Sequence, residues 1–334
     1  MVFFLIELLL LLFLLSWVLV GRFRYYALTK KWVDIPNARS SHSLPTPRGG
    51  GVVFAGLWLV IALLIWVTGI GIPIQHLVLL PGAILVVVVG FGDDCCDIQP
   101  IWRFLVHVTA AFITIYGLIL YSNQSAHFSY IGLGLFGLVI VWSINLFNFM
   151  DGINGLAGIE ACFIFMAGSY WLWQSGAKDL AFLAWVLTTV ILGFLLWNFP
   201  TARIFMGDGG SGFLGFLIAG FALVGKFCFN IPLLLWVIIY SIFWFDTTLT
   251  LIRRFLAGDS WYKAHRSHAY QRLHQAGWSH SRIVAAISGV NILLVLISFW
   301  INIYQDMMLW GFIAVLVLLT VLYLGVEKIN PMYP

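Results

Sequence analysis

Three segments of this sequence place aspartates where they could bind a metal ion together with phosphate. Asp93 and Asp94 are adjacent in GFGDDCCDIQP, and Asp208 lies in the glycine-rich segment FMGDGGSGFLG. Carboxylates together with phosphate oxygens form the oxygen shell that Mg²⁺ prefers. The third segment, NLFNFMDGING, contains Asp151. These residues indicate metal-assisted phosphate chemistry, with Asp208, Asp93 and Asp94 as candidate metal ligands.

The third segment also spaces polar side chains at intervals of three residues. Asn145, Asn148, Asp151 and Asn154 follow one another in this way. Residues three apart lie near each other on a helix, so these carboxamides can hold a substrate hydroxyl or phosphate at a helix end. The alternative is that the asparagines cap the helix and the neighbouring glycines turn the chain.

The turn around Asp208 has a similar pair of interpretations. A glycine-rich turn before a helix exposes backbone N–H groups and a helix N-terminus to an anion, and Asp208 can bind the cation of that anion. The same residues also occur in ordinary turns. Turn chemistry alone does not account for the aspartates in the other segments.

Basic side chains occupy two further segments. AHRSHAYQRLHQAGWS contains His265, Arg266 and His268, which are candidate donors to a diphosphate. No thiolate accompanies these histidines and arginines lie among them, which disfavours zinc. The second basic segment, VDIPNARSSHSLPTPRGGG, precedes the second predicted span and contributes Arg39, His42 and Arg48 as candidate phosphate ligands. The alternative for both segments is a solvated basic loop, and for VDIPNARSSHSLPTPRGGG also contact with anionic lipid headgroups.

The elements that carry these segments are membrane helices. The chain has 334 residues, of which 62% are hydrophobic and only 9% charged, and apolar runs of membrane-spanning length recur along it. We predict an all-α, polytopic membrane bundle of about eleven transmembrane helices in one domain, residues 1–334. The predicted spans are 2–20, 51–70, 77–92, 101–121, 131–149, 156–174, 179–198, 212–229, 231–250, 283–303 and 307–326.

The basic residues predict the orientation of this bundle. Of the 17 Lys and Arg residues, only Lys178 and Lys226 fall outside the loops that follow odd-numbered spans and the C-terminal tail. The positive-inside rule then puts the N-terminus outside and the C-terminus inside. The aspartate segments lie on the same inner side. The predicted cytoplasmic catalytic loops are 21–50, 93–100, 148–155, 199–211 and 251–282. Because the basic residues are explained by orientation, we expect no nucleic acid partner.

Taken together, the segments resemble the polyprenyl-phosphate N-acetylhexosamine-1-phosphate transferases, which include the phospho-N-acetylmuramoyl-pentapeptide translocase and the enzymes that start O-antigen synthesis. The resemblance runs from about Asp34 to about His274. It implies that the adjacent aspartates Asp93 and Asp94 are catalytic, that Asp208 binds magnesium and that Asp151 is a catalytic or nucleotide-binding residue. The histidine-rich loop of the family matches residues 265–268.

Two departures from the family pattern concern the sugar. Many members read DGxDG where this chain has DGING, so Asn154 replaces a carboxylate. A nearly continuous run of histidines is replaced by HRSH, a form similar to the branch that starts O-antigen chains with deoxy amino sugars. The resemblance therefore leaves the amino sugar open among 6-deoxy forms, GlcNAc and GalNAc.

The implied reaction transfers an N-acetylhexosamine-1-phosphate from a UDP-sugar to undecaprenyl phosphate and releases UMP. Magnesium, or manganese in its place, is the expected cofactor, and the bacterial inner membrane with its cytoplasmic face is the expected location. Membrane lipids are expected partners, and whether the chain forms a homodimer is left open. The alternative is a transporter or lipid-carrier flippase, which predicts acids near the bilayer midplane rather than at one surface.

Overall fold

The computed structural model describes residues 2–36, 44–68, 78–121, 129–260 and 265–333. These residues form a bundle of α-helices with one small β-hairpin. The first helices are α1 (Val2–Thr29), α2 (Gly51–Thr68), α3 (Leu79–Cys96), α4 (Pro100–Tyr121), α5 (Tyr130–Met150), α6 (Leu156–Gln174) and α7 (Lys178–Asn198). The remaining helices are α8 (Asp208–Phe229), α9 (Leu233–Ile239), α10 (Ser241–Leu256), α11 (Ala269–Gln275), α12 (His280–Ile303) and α13 (Met308–Ile329), with a short 3₁₀ turn at Gln305–Met307.

The number of membrane spans agrees with the sequence prediction. Within the described residues, ten helices are long and apolar enough to cross a bilayer. The consecutive helices α9 and α10 pass the same test together and meet at a bend of 75°. Counting that pair as one span gives the predicted eleven, so the chain is a multi-pass helical membrane protein.

Several predicted boundaries were wrong. α1 continues to Thr29, so the predicted loop 21–50 begins with helical residues. Two further errors lie at the aspartates. α3 continues to Cys96, so Asp93 and Asp94 belong to its last turn rather than to a loop, and the helix ends at Asp97 with a left-handed φ of 48°. α8 begins at Asp208 instead of residue 212. Polar residues in a terminal turn look like a loop in a hydropathy pattern, although their backbone is helical. The predicted ninth span is the broken pair α9–α10.

α8 is the centre of the bundle. Its side chains are buried along most of its length, and it packs against α3 on one side and α5 on the other. Its sequence GGSGFLGFLIAG alternates small and large residues, which lets neighbouring helix backbones approach closely. α1 and α13 lie at the periphery, and only 17% and 22% of the residues in their most apolar stretches are buried.

The segment between α1 and α2 is tied to the segment before α8. Strands β1 (Val33–Asp34) and β2 (Thr46–Pro47) pair antiparallel. The Phe205 N–H donates to the carbonyl of Pro47 at 2.8 Å, and the Gly51 N–H donates to the carbonyl of Met206 at 2.8 Å. The predicted loops 21–50 and 199–211 therefore meet at one end of the bundle. Arg39 and His42 lie outside the described residues.

Candidate active site

The ends of α3 and α8 cross in backbone contact, which brings the adjacent aspartates to Asp208. A Cβ atom on Gly90 would lie 2.6 Å from the carbonyl carbon and oxygen of Asp208, so only glycine permits this approach. We call Asp93, Asp94 and Asp208, together with Arg103 of α4, the aspartate cluster. The sequence prediction that these three acids share one place is therefore reproduced by the geometry.

Asp94 caps the N-terminus of α8. Its Oδ1 accepts a hydrogen bond from the Asp208 N–H at 3.0 Å, and its Oδ2 accepts one from the Gly209 N–H at 3.2 Å. A carboxylate in this position satisfies free helix N–H groups and is favoured by the helix dipole. Only 3% of Asp94 is exposed. The geometry therefore gives Asp94 the task of positioning Asp208.

Asp93 and Asp208 face a shared cation. Arg103 Nη1 donates to Asp208 Oδ2 at 2.6 Å and also to Asp93 Oδ2. The second oxygen of Asp93 accepts the Ile98 N–H at 2.7 Å, which fixes the carboxylate in place. About 15% of the Asp93 side chain and 29% of the Asp208 side chain are exposed. The two carboxylates can therefore meet a cation that arrives from outside.

This pair fits a magnesium ion that is completed by substrate. Among the described residues, no three His, Cys, Asp or Glu side chains converge into a full metal-ligand set. Mg²⁺ is commonly bound by one or two carboxylates and takes its other ligands from water and substrate phosphates. One nitrogen contacts both Asp93 Oδ2 and Asp208 Oδ2, so a single small cation could do the same.

A polar cavity of about 130 Å³ adjoins the cluster between α3, α4, α5 and α8. Its polar lining comprises Arg103, His107, Asn145, Asn148 and Asp208. The Nδ1 atom of His107 is buried in the cavity wall with no hydrogen-bond partner among the described residues. An unpaired buried polar atom is costly, so a ligand with a hydrogen-bonding group would be favoured there.

The predicted asparagines divide between two places. Asn145 and Asn148 line the cavity, although Asn145 Nδ2 already donates to the carbonyl of Val141 in its own helix at 2.7 Å. Asn154 lies outside the cavity lining, and its Nδ2 donates to the carbonyl of Pro200 at 3.2 Å. Two of the three predicted asparagines therefore line the cavity, and Asn154 of the DGING segment does not.

Asp151 follows α5, and its surroundings disfavour the ionised form of its carboxyl group. Burial, together with the negative charges of Asp208 and Asp94, holds the pKa of Asp151 well above the ordinary aspartate value. A carboxyl group in such surroundings can keep its proton at a pH at which an ordinary aspartate is ionised. Asp151 therefore remains a catalytic candidate, as a group that can hold a proton.

Arg48 lies beside the cluster with its guanidinium engaged by protein. Its Nε donates to the carbonyl of Asp94 at 2.8 Å, and its Nη2 pairs with Asp97 Oδ1 at 3.1 Å. The free carbonyls of the last helical turn need such donors. The observed role of Arg48 is to hold the end of α3, and its predicted role in binding substrate stays a prediction.

The histidine segment, which we define as residues 265–275, is attached to α10 and α5. The Ala269 N–H donates to both carboxylate oxygens of Asp246, at 2.9 and 3.0 Å. The hydroxyl of Tyr270 donates to the carbonyl of Phe149 at 2.9 Å, two residues before Asp151. The segment therefore lies next to the DGING turn.

Two histidine rings of this segment lie close together at an interplanar angle of 40°. The ring centroids of His265 and His268 are 4.9 Å apart. Burial, with added repulsion from His268 and Arg254, lowers the pKa of His265 to about 4. His265 is therefore neutral at pH 7 and can donate one N–H, so its ring adds no positive charge to that of Arg266.

Sequence reasoning missed Arg103 and His107 as site residues. Arg103 served only to predict orientation, and His107 was treated as part of an apolar span. They are four residues apart on α4 and so share one face of the helix, which is a signal that the sequence contains. The direction of that face becomes known only when α4 packs beside α3.

Comparison with protein-family models gives one match. Residues 76–226 match the model described as glycosyl transferase family 4. This range contains the aspartate cluster, the DGING segment and the polar cavity. The histidine segment lies beyond it.

Individual relatives match over a longer part of the chain. A probable undecaprenyl-phosphate N-acetylglucosaminyl 1-phosphate transferase of Bacillus subtilis is 31% identical over 267 residues, covering 76% of this chain and 73% of the relative. An undecaprenyl-phosphate alpha-N-acetylglucosaminyl 1-phosphate transferase of Yersinia pestis is 32% identical, covering 80% and 76%. A decaprenyl-phosphate N-acetylglucosaminephosphotransferase of Mycobacterium leprae is 29% identical, covering 76% and 73%.

Proposed function

Since the chain belongs to the polyprenyl-phosphate N-acetylhexosamine-1-phosphate transferases of glycosyl transferase family 4, we propose that it uses undecaprenyl phosphate as acceptor and a UDP-N-acetylhexosamine as donor. Magnesium is the proposed cofactor, with manganese as its substitute. The proposal covers UMP release and the start of an O-antigen or another envelope polysaccharide. One observation carries it: Asp93 and Asp208, from two different helices, both contact the guanidinium of Arg103 beside a polar cavity.

An apolar groove supports the lipid part of the proposal. It lies between α4 and α5 with a volume of about 450 Å³, and Phe104 lines both this groove and the polar cavity. Its other lining residues include Val108, Ile115, Gly134 and Leu138. A polyprenyl chain in the groove would bring its phosphate to the cavity, within reach of Arg103 and His107. The acceptor thus enters from the membrane.

The proposed reaction is an in-line displacement at phosphorus. A phosphate oxygen of the lipid forms a bond to the sugar-bearing phosphorus of the donor, and the bond from that phosphorus to the UMP oxygen breaks. The lipid phosphate, whose second pKa is about 6, is largely ionised at neutral pH and needs little help from a general base. UMP leaves with the bonding electron pair.

The protein residues act on the charge that gathers in this step. Asp93 and Asp208 would hold the magnesium ion, which when bound neutralises phosphate charge. Arg103 donates to the phosphate oxygens, and Asp94 keeps Asp208 fixed through the N-terminus of α8. Asp151 can give a proton to an oxygen of the leaving group. Preorganised charges of this kind usually supply the largest part of a rate enhancement.

The proposed location is the bacterial inner membrane, with the site facing the cytoplasm. The asymmetry of the basic residues supports this orientation. A site at a membrane surface also suits a reaction between a lipid and a water-soluble nucleotide. The sugar is proposed only as an N-acetylhexosamine, and UDP-GlcNAc is the first donor to test because the relatives are named for GlcNAc.

UMP release by the purified chain tests the proposal. The assay contains undecaprenyl phosphate, magnesium and one donor at a time from UDP-GlcNAc, UDP-GalNAc and their 6-deoxy forms. We expect release with at least one donor, and only when the lipid acceptor is present. Folded protein that releases UMP with none of them would favour the transporter alternative. Release without the lipid would indicate hydrolysis rather than transfer.

A further inference from the structure

Glu327 in the last turn of α13 gathers side chains from two other helices. Its Oε2 accepts hydrogen bonds from Arg253 Nη1 at 2.7 Å and from Arg272 Nη1 at 2.6 Å. Its Oε1 accepts from Arg253 Nη2 at 2.9 Å and from the Met332 N–H at 3.0 Å. Arg253 belongs to α10 and Arg272 to α11. One carboxylate therefore joins α10, α11 and the C-terminal tail.

Arg272 makes this cluster important for α11. Its side chain is only 2% exposed, and its guanidinium lies 4.9 Å from the centre of the Tyr323 ring. Arg272 Nη1 donates to the carbonyl of Asn330, and Asn330 Nδ2 donates back to the carbonyl of Arg272, both at 3.0 Å. A helix of seven residues is not stable by itself, so α11 depends on such contacts.

The other end of α11 lies at the candidate active site. His268 precedes its first residue, and the Ala269 N–H is held by Asp246. Tyr270 contacts the DGING turn through its hydroxyl, which donates to the carbonyl of Phe149 and lies against Gly152. A displacement of α11 would therefore move His268 and disturb the turn that carries Asp151.

We propose that Glu327 is a positioning residue for the transfer reaction. Through Arg272 it fixes α11, and through Arg253 it ties α11 to α10, so that the histidine segment presents His265 and Arg266 to the diphosphate of the nucleotide donor. This inference rests on the proposed function, which supplies that diphosphate as the ligand. Glu327 itself touches no reacting group. It acts on donor binding and not on the lipid acceptor.

Steady-state kinetics of Glu327→Gln tests the selectivity of this effect. The substitution keeps the size of the side chain and removes its charge. When α11 is no longer fixed, the histidine segment should lose charge-assisted contacts to the nucleotide donor. The KM for the donor should then rise by about tenfold to a hundredfold. The KM for undecaprenyl phosphate and kcat should change less than about threefold by the same reasoning. Asp306→Asn is the matched control, because Asp306 is exposed at the opposite end of α13 and should behave as wild type.

Two further variants keep the test decisive if Glu327→Gln folds poorly. Asn330→Ala removes the side-chain contacts of Asn330 to the carbonyl of Arg272 and to Gln275 Oε1, both in α11, and keeps the salt bridge. It should raise the donor KM by about threefold, as expected for lost neutral hydrogen bonds. Glu327→Asp keeps the charge on a shorter side chain and should lie between wild type and Glu327→Gln. An unchanged donor KM in Asn330→Ala and Glu327→Gln overturns the proposal, as does an equal rise for donor and acceptor.

Hydrogen–deuterium exchange of the full-length chain gives a readout that needs no activity. In Glu327→Gln the amides of residues 269–275 should exchange faster than in wild type, and in Asp306→Asn they should not. If the wild type releases no UMP with any donor, the proposed function has failed. The exchange result then tests only whether Glu327 fixes α11 through its contacts. Unchanged exchange in Glu327→Gln overturns that role of Glu327.

Discussion

The aspartate cluster and the histidine segment are held in place by different kinds of contact. The cluster stands on the ends of α3 and α8, two long helices whose backbones touch at Gly90. The histidine segment includes a seven-residue helix that is fixed by side chains of α10, α13 and the C-terminal tail. The first region is part of the buried bundle, whereas the second is attached to it from outside.

This difference suggests a division of labour. Groups that bind the metal and stabilise transferred charge need fixed geometry, because small displacements reduce their effect strongly. Groups that receive a water-soluble nucleotide must let it enter and leave. We therefore expect substitutions of the aspartates in the cluster to reduce kcat and substitutions in the histidine segment to raise the donor KM.

Asp208→Asn should have the largest effect. It removes a charge that faces Arg103 and the proposed magnesium ion, and the loss of one such preorganised group typically costs about a hundredfold to a thousandfold in kcat. The measurement is UMP release at saturating substrates, with Asp306→Asn as control. A kcat within a few-fold of wild type would remove the cluster from the chemistry.

Arg103→Gln should have the next largest effect. The variant leaves Asp93 and Asp208 facing each other without their shared cation and removes a donor to the lipid phosphate. We expect kcat/KM for undecaprenyl phosphate to fall by about tenfold to a hundredfold, as for a lost charge-assisted hydrogen bond. Rates at varied acceptor concentration give this value. Equal losses for donor and acceptor would contradict an acceptor role for Arg103.

His265→Gln should have a smaller and more selective effect. His265 is neutral at pH 7, because its pKa is lowered to about 4, so the variant loses one neutral donor. The KM for the donor should rise by about three- to tenfold with little change in kcat. Kinetics at varied UDP-sugar concentration test this. A fall in kcat without a change in donor KM would move His265 into the chemical step and break the proposed division.

Asp151→Asn should change the stability of the fold in a way that depends on pH. The folded pKa of Asp151 is raised, so the stability linked to its protonated form is complete below the unfolded pKa and is lost as pH rises through the folded pKa. In a chelator at pH 8, the variant should unfold about 2–4 °C above wild type. The difference should disappear below about pH 4, where the unfolded carboxyl is protonated too. A variant that is less stable at pH 8 would contradict the raised pKa.

The sequence predicted the span count and the identity of the clustered acids, since apolar runs of about twenty residues and their polar interruptions are visible without a structure. It could not predict that Asp94 caps α8 or that Arg103 bridges Asp93 and Asp208. These contacts depend on which helices pack side by side. The bend between α9 and α10 was also missed, because both parts lie in one apolar run.

In the proposed reaction a sugar phosphate, and not a sugar alone, passes to the lipid at the aspartate cluster. The most direct test uses the active donor with one label on its sugar and another on the phosphate next to that sugar. We expect both labels to enter the lipid extract in equal amounts, and Asp208→Asn to lose both. Sugar label in the lipid without phosphate label, or equal labelling by Asp208→Asn, would contradict it.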